Sequence, residues 1–367
     1  MKTLIKFRKR ILCFLVLCAV LYGLIIARKT DSIIADKSTT TSTETEATKL
    51  VKKLKIGWNL GNSLDVISKS RGYYLDTETL WKNPKVTKEL IHSVKASGFT
   101  SIRIPVSYYN HIDSNNKIDA RWLARVKEVV DYALEEKMYV IINIHHDTGL
   151  SEKYRWIYSD ESTYEEDKKN FVNLWKQIAK YFKNADNKLL FESTNEIMDR
   201  DKNWSWSYKH NFKVTAKLHN EFIKTVRATG GKNKKRFLVL PTYAASSDEE
   251  EIRQILNFNY DDTQKNHLIV SVHCYKKDKN AITAVMERLG KYGRKYNVPF
   301  IMDEFAVKDV ESETKRVELT KHYIEKAKEN NVALFWWDSG NEYALFDRNT
   351  TEILYKEIVN TLVESYK

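Results

Sequence analysis

Short, almost continuous apolar runs recur along the chain, and between them apolar residues return at every third or fourth position. A short apolar run is typical of a strand buried on both faces, as in a parallel sheet. Spacing of three and four predicts amphipathic helices, for example over residues 121–136, 171–181 and 353–363. The eight strands predicted in this way are residues 56–60, 100–106, 139–145, 189–195, 237–240, 268–273, 300–303 and 333–337.

Eight strand–helix units in one chain predict an α/β fold of the (β/α)8, or TIM, barrel type. The structural alternative is a doubly wound open sheet, which more often carries a glycine-rich phosphate loop after its first strand. Residues 57–62 do not form such a loop, because Gly57 and Gly61 are four positions apart with Trp58 and Leu60 between them. The barrel is therefore the predicted fold, and residues 50–367 are its predicted domain.

The first 49 residues have a different pattern. Five basic residues precede the apolar run 11–27, which is the charge order of a secretory signal peptide or an uncleaved signal anchor. Residues 31–49 are rich in Ser and Thr, which predicts a disordered linker. We therefore expect an extracellular domain, tethered to the membrane by residues 1–30 or, as a close second, secreted after their cleavage.

Composition and charge exclude several other classes of protein. The net charge is +12, but residues 1–30 hold seven basic and no acidic side chains, so the remainder has 54 basic and 49 acidic residues. That balance does not predict nucleic-acid binding. Cys274 is the only cysteine of the predicted domain, so no internal disulfide is expected. We expect a monomer without cofactor.

Two of the predicted strands lead directly to a glutamate, Glu196 and Glu304. The carboxyl ends of barrel strands are where α/β barrels carry their chemistry. Glu192 has the same strand parity as Glu196 but lies about 13 Å away along an extended strand, so only Glu196 is expected at the barrel mouth. Two carboxyl groups about 5–5.5 Å apart suit a retaining glycoside hydrolase, in which one is acid and then base and the other is the nucleophile.

Seven short motifs follow one another at the predicted strand ends, and their order carries a family resemblance. They are Gly-Trp-Asn-Leu-Gly-Asn-Ser-Leu-Asp at 57–65, Ile-Arg-Ile-Pro-Val at 102–106, Asn-Ile-His-His-Asp at 143–147, Thr-Asn-Glu at 194–196, His-Cys-Tyr at 273–275, Asp-Glu-Phe at 303–305 and Trp-Trp-Asp at 336–338. Together they resemble glycoside hydrolase family 5, the large cellulase family, over essentially all of residues 50–367. One departure is Ile197, where the family usually has proline, and this position shapes only the loop.

The resemblance implies that Glu196 is the acid/base and that Glu304 is the nucleophile. Charge and hydrogen bonds from Arg103 are expected to keep Glu304 ionised, and Asn195 is expected to bind the sugar 2-hydroxyl. Trp337 is expected to stack on the sugar and Trp336 to face the outer layer of the barrel, with the two roles exchanged if the strand register is off by one. The full set of expected substrate-binding residues is Asn59, Arg103, His145, His146, Asn195, His273, Tyr275 and Trp337.

The adjacent pair His145 and His146 raises the question of a metal site. Neighbouring residues on a strand point to opposite faces, which does not suit two ligands of one ion, so no metal is expected. His146 is expected either to support the site or to be part of the core. Trp204 and Trp206, after Glu196, are expected either to stack on further sugars or to plug the loop.

The expected function is endo-acting, retaining hydrolysis of a β-1,4-glucan, either cellulose or mixed-linkage glucan, with the polysaccharide as the partner. The same mechanism on mannan, xylan or xyloglucan is the alternative. A barrel that binds carbohydrate without catalysis is less favoured, because both carboxylates are present. A barrel aldolase or lyase is disfavoured, because none of the predicted strands ends in the lysine that a Schiff base requires.

Overall fold

A computed structural model describes residues 44–68, 75–148, 155–202, 209–308 and 310–366, with the side chains of 209 and 210 excepted. Eight parallel strands close into a barrel in chain order, with β1 paired to β8. The strands are β1 Ile56–Leu60, β2 Ser101–Ile104, β3 Tyr139–Asn143, β4 Leu189–Glu192, β5 Leu238–Pro241, β6 Leu268–Cys274, β7 Phe300–Phe305 and β8 Ala333–Asp338. The predicted (β/α)8 barrel is confirmed.

Each strand is followed by a helix, and one further helix precedes β1. None of the described helices is long and apolar enough to cross a membrane. Residues 1–43 and the two tryptophans Trp204 and Trp206, which carried sequence-based predictions, lie outside the described residues. The helices are α1 Glu46–Leu54, α2 Lys88–Ala96, α3 Ala120–Glu135, α4 Tyr164–Tyr181, α5 Lys209–Ala228, α6 Glu249–Leu256, α7 Lys279–Tyr296, α8 Glu313–Asn330 and α9 Lys356–Glu364.

The strands are apolar on both faces because each face lies against a different core. Alternate residues such as Ile142 and Phe191 pack against the outer helices. Their neighbours Ile141 and Leu190 fill the inside of the barrel, where they form a separate cluster with the buried face of α1. This explains why continuous apolar runs, rather than alternating ones, identified the strands correctly.

Helix α1 begins at Glu46, inside the stretch predicted to be a linker. Thr45 caps it, since the Thr45 hydroxyl accepts a hydrogen bond from the Thr48 amide at 3.1 Å. Leu50 and Leu54 are buried on its inner face. The folded domain therefore starts before residue 50. Thr45 and Glu46, which were counted as part of the linker, instead form the cap and the acidic first turn of this helix.

Three strands end earlier than predicted. Strand β2 ends at Ile104, β3 at Asn143 and β4 at Glu192, whereas the predictions continued through residues 106, 145 and 195. Pro105 follows β2 directly and has no amide hydrogen to continue the ladder. As a result Glu196 lies in a loop four positions after β4, and the strand parity assumed between Glu192 and Glu196 does not apply.

Strand β7 contains an irregularity beside the predicted nucleophile. Val272 pairs with Met302, but the next pair is His273 with Glu304, so Asp303 is one extra residue on its strand. A bulge of this kind changes the direction of the side chains around it. Asp303 and Glu304, although adjacent, both approach Arg103 in the barrel interior. The bulge therefore supplies the site with two carboxyl groups from one strand.

Candidate active site

The two glutamates predicted to act together lie on either side of His273. Nδ1 of His273 is 2.9 Å from Oε1 of Glu196 and 3.4 Å from Oε2 of Glu304. One oxygen of each glutamate and a nitrogen of His273 lie within 4.8 Å of one another. The two carboxyl groups are thus closer than the 6.5–9.5 Å or so that leaves room for an attacking water between carboxylate and sugar.

The guanidinium of Arg103 lies beneath this pair and uses all five of its N–H groups. Nε and Nη2 donate to the two oxygens of Glu192 at 2.7 and 2.8 Å. Nη1 donates to Glu304 at 2.6 Å and to Asn59 at 3.0 Å, and Nη2 also donates to Asn195 at 2.9 Å. Burial alone would lower the pKa of Arg103, but the charges of Glu192 and Glu304 hold it well above its ordinary value.

Arg103 and Asn59 were both predicted to bind substrate, and the structure corrects this. Both side chains have 0% of their surface exposed, so they support the site from below rather than contact a sugar. The Asn59 amide donates to the backbone oxygen of Asp303 at 2.8 Å. Asn59 thereby holds the bulged segment of β7, while Arg103 holds Glu304 itself.

Tyr275 completes the contacts of Glu304. Its hydroxyl donates to Oε2 of Glu304 at 2.8 Å, while part of the residue remains exposed. Burial and the charge of Glu304 raise the pKa of Tyr275 well above its ordinary value, so the hydroxyl stays a donor. Each oxygen of Glu304 therefore accepts a hydrogen bond, one from Arg103 and one from Tyr275.

Glu196 has a different environment. Its side chain is 21% exposed, compared with 6% for Glu304. Among the described residues its hydrogen bond to a side chain is the one with His273. The two carboxyl groups therefore differ in the way that separate acid and nucleophile roles require: one is held by several donors and one faces the solvent-accessible side.

Asn195, which precedes Glu196, is fixed in orientation. Its side-chain oxygen accepts from Arg103, and its backbone amide donates to Oγ1 of Thr148 at 3.1 Å. Because the oxygen faces a guanidinium that can only donate, the amide nitrogen must occupy the other position. The Asn195 NH2 group is therefore directed away from Arg103 as a donor.

A chain of hydrogen bonds assigns the tautomer of His145. The backbone amide of Val106 donates to Oδ1 of Asn143 at 3.1 Å, so the Asn143 NH2 is the donor to Glu192 and to Nδ1 of His145. Burial, reinforced by nearby cationic groups, lowers the pKa of His145 well below its ordinary value. A neutral His145 that accepts at Nδ1 must carry its hydrogen on Nε2.

The tautomer of His145 decides whether His145, His146 and Asp65 could bind one metal ion together. Strand β3 ends before the two histidines, so both rings come together, with centroids 4.6 Å apart, and the parity argument against a metal does not apply. Nε2 of His146 lies 3.5 Å and Nε2 of His145 4.0 Å from Oδ2 of Asp65. However, protonated Nε2 of His145 has no lone pair for an ion, so these three residues do not suit a shared cation.

The structure buries Trp336 and leaves Trp337 partly exposed, as the sequence predicted. Trp336 is fully buried and its indole donates to the backbone oxygen of Tyr343 at 2.9 Å. Trp337 is partly exposed, and its ring lies parallel to that of His145, 5.8 Å away. Gly61 makes room for it, because a Cβ there would be 2.7 Å from the Trp337 ring. Trp337 is thus available as a stacking surface beside His145.

Several residues of the site were missed by the sequence reasoning. Glu192 was expected to lie away from the barrel mouth, yet it forms a buried ion pair with Arg103. A charged residue within an apolar strand, just before Glu196, was the feature of the sequence that could have indicated this role. Asp303 and Asp65 were quoted only as parts of motifs. Trp81 carried no signal, and its ring lies 5.5 Å from that of His146.

The comparisons with known proteins agree with this geometry. The sequence model described as cellulase (glycosyl hydrolase family 5) matches residues 66–343, which include Glu196 and Glu304. A cellulase/esterase, CelE, of Acetivibrio thermocellus is 36% identical over 86% of this chain and 40% of its own length. Endoglucanase A of Clostridium longisporum is 30% identical over 88% of this chain and 66% of its own length. The chain thus spans only part of these curated relatives.

Solved structures extend the similarity to the whole barrel. A lichenase of Caldicellulosiruptor sp. F32, in complex with cellotetraose, has 33% identity and a TM-score of 0.79 over 88% of this chain and 95% of its own. A family 5 enzyme of Prevotella bryantii B14 with a bound xyloglucan oligosaccharide has 30% identity and a TM-score of 0.81, over 89% of this chain and 100% of its own. The chain therefore belongs to the cellulase family, glycosyl hydrolase family 5.

Proposed function

We propose that this protein is a retaining endo-β-1,4-glucanase that uses Glu196 as acid and base and Glu304 as nucleophile. The observation that carries the proposal is the close approach of the two carboxyl groups, with one oxygen of each within 4.8 Å. At that separation the second carboxylate attacks the sugar carbon itself, because no water fits between them.

The contacts around each glutamate support its role. Glu304 receives hydrogen bonds from Arg103 and Tyr275, which fix the orientation of its carboxylate in the site. Glu196 reaches solvent and has fewer donors, as an acid that exchanges a proton with leaving group and water requires. In the first step Glu196 protonates the glycosidic oxygen while Glu304 forms a covalent bond to the sugar. In the second step Glu196 deprotonates the water that breaks that bond.

The donors and rings around the pair suit a pyranose. The Asn195 NH2 is directed away from Arg103, where it would bond the sugar 2-hydroxyl and stabilise the transition state. His145 would donate from Nε2 to a further hydroxyl. Trp337, beside His145, would stack on the apolar face of the sugar ring.

A β-1,4-linked glucan backbone is the proposed substrate class. The solved relatives include proteins described as a lichenase, a broad specificity endoglucanase and a xyloglucan-specific endo-β-1,4-glucanase. Mixed-linkage glucan and xyloglucan are therefore the first alternatives to cellulose-type glucan, and mannan and xylan are more remote.

The first experiment measures reducing-sugar release from soluble cellulose derivatives, mixed-linkage glucan, xyloglucan, xylan and mannan. We expect rapid release from at least one glucan. Glu304→Gln should lose the activity, and the control Glu357→Gln, at an exposed position on α9, should keep it. Equal activity of Glu304→Gln and wild type would exclude the proposed nucleophile.

The stereochemical outcome tests the mechanism directly. Proton NMR of the first product from a β-glucan should show the β anomer before mutarotation. An initial α anomer would mean that water attacks directly, which would rule out double displacement.

We also propose that the enzyme works outside the cell, either secreted or tethered to the membrane. The support is the basic and then apolar pattern of residues 1–27. Fractionation of cells that express the full chain should find the activity in the medium or on the outer face of the membrane. Activity confined to the soluble cell contents would refute this.

A further inference from the structure

Asp303 has an unusual position for a buried carboxyl group. Asp303 points inward by the ordinary alternation of β7, two positions after the interior residue Ile301, and the bulge brings Glu304 inward beside it; the Asp303 side chain is fully buried. Within the described parts of the chain, neither of its carboxylate oxygens has a hydrogen-bond partner. Buried polar groups are normally paired, because an unpaired one loses its hydration without compensation. Asp303 therefore needs a nearby group that can donate a hydrogen bond to its carboxylate.

That group is the Nε2 atom of His273. It too is buried without a hydrogen-bond partner among the described residues, and it lies 3.5 Å from Oδ1 of Asp303. A movement of a few tenths of an ångström brings this pair to ordinary hydrogen-bond length. The two unpaired atoms thus complement each other, one as a hydrogen-bond acceptor and one as an N–H donor.

The other ring nitrogen of His273 faces the catalytic pair. Nδ1 lies 2.9 Å from Glu196 and 3.4 Å from Glu304. The imidazole is therefore enclosed by three carboxyl groups, each of which can accept but, when ionised, cannot donate. A ring that carries hydrogens on both nitrogens can donate to Asp303 from Nε2 and, from Nδ1, to Glu196 once Glu196 has given up its proton in the first step.

The surrounding charges favour that doubly protonated ring. Burial alone lowers the pKa of His273, but the charge of Glu304, the hydrogen bond with Glu196 and the charge of Asp303 raise it to about 9. Burial, with the charge of Glu192, raises the pKa of Asp303 itself. The titratable and charged groups that face the Asp303–His273 pair are Arg103 from β2, His145 after β3, Glu192 and Glu196 from β4 and its loop, Tyr275 after β6 and Glu304 from β7.

We propose that Asp303 is a positioning residue that holds His273 as an imidazolium, so that Nδ1–H of His273 orients Glu196 and neutralises part of the negative charge between Glu196 and Glu304. Asp303 touches no substrate and acts only through His273. The inference rests on the proposed function where it concerns the reaction rate, but the charge on His273 can be measured without any substrate.

The experiment titrates His273 by NMR in protein with 15N-labelled histidine, with the resonance assigned by its loss in His273→Gln. In the wild type His273 should remain charged well above pH 7. In Asp303→Asn its titration should move down by roughly one to three pH units, as expected for loss of a nearby opposite charge. The control Asp167→Asn neutralises another buried carboxyl group, on α4, and should leave the His273 titration unchanged.

The same variants then test the consequence for catalysis. In Asp303→Asn the pH profile of kcat/KM should shift, because a neutral His273 no longer stabilises ionised Glu196, and kcat should fall with KM little changed. A pH profile that stays in place while the resonance moves would overturn the role in the reaction. A wild-type His273 that is neutral at pH 7 would overturn the proposal even if Asp303→Asn fails to fold. A wild type without glucanase activity would instead refute the proposed function and leave the titration readable.

Discussion

Arg103 binds both oxygens of Glu192 at 2.7 and 2.8 Å in the interior of the barrel, and both side chains are fully buried. The pair is placed beneath the catalytic glutamates, and the same guanidinium reaches Glu304. An ion pair this deep is stable only while both partners are present, because either charge alone would be buried without compensation.

Replacing Arg103 with Met should therefore lower the free energy of unfolding by about 3–5 kcal/mol, measured by urea denaturation. The double variant Arg103→Met with Glu192→Gln should recover part of that loss, since it removes the uncompensated carboxylate. It should not recover activity, because Glu304 still lacks its donor. If the single variant were within about 1 kcal/mol of wild type, a threshold well below that range, the buried pair would not have the role described.

The two catalytic roles should separate in their chemistry. Glu304→Ala should abolish turnover, and added azide should partly restore it with inverted product, since a small nucleophile can replace the missing carboxylate. Glu196→Ala should retain activity on substrates with very good leaving groups, which need no acid in the first step. Loss of both substrate types in Glu196→Ala, with both kept in Glu304→Ala, would reverse the assignment.

Gly61 should be required for the position of Trp337. In Gly61→Ala the new methyl group would lie 2.7 Å from the Trp337 ring, closer than packed atoms allow, so the ring must move. We expect KM to rise with a smaller change in kcat, as in Trp337→Ala. The control Gly293→Ala lies on α7, where a Cβ meets its nearest neighbour at 3.3 Å, and it should leave KM unchanged. A Gly61→Ala variant with wild-type KM would argue against Trp337 as the sugar platform.

Buried histidines should make the fold sensitive to acid. Burial lowers the pKa of His111 to about 3, below the roughly 6.5 expected in the unfolded chain. The folded state thus favours neutral His111, and its contribution is complete above about pH 6.5 and is lost as the pH falls toward 3. By linkage the free energy of unfolding should fall by up to about 1.4 kcal/mol per pH unit from this residue.

His111→Phe tests this, because it keeps a ring against Trp122, whose indole stacks 3.6 Å from His111, but cannot titrate. Unfolding measured between pH 7 and 4 should show a shallower loss of stability in the variant than in wild type. Replacement of the exposed His92 by Gln is the control. Equal slopes in wild type and His111→Phe would exclude this source of acid sensitivity.

Much of the fold and the proposed catalytic pair follow from the sequence by itself. Runs such as Leu189–Phe191 are apolar without alternation, because a strand of a closed parallel barrel is covered on the inside and the outside. Glu196 and Glu304 could be proposed because each follows a predicted strand and the two form a pair, whereas either one alone would be read as an ordinary loop carboxylate. The sequence also predicted that Trp337 faces the site and Trp336 the outer layer, because side chains alternate along a strand and β8 is regular up to both residues.

The supporting residues were decided only by the tertiary structure. Where a strand stops depends on backbone hydrogen bonds to its neighbours, and the early ends of β3 and β4 changed the directions of His146 and Glu196. The bulge in β7 is a mismatch in register between two strands, which no local pattern records, and it brings Glu304 inward beside Asp303, which the alternation of β7 already directs inward. Whether Arg103 touches a sugar or lies beneath the site depends on burial, which arises from long-range packing rather than from the motif in which the residue stands.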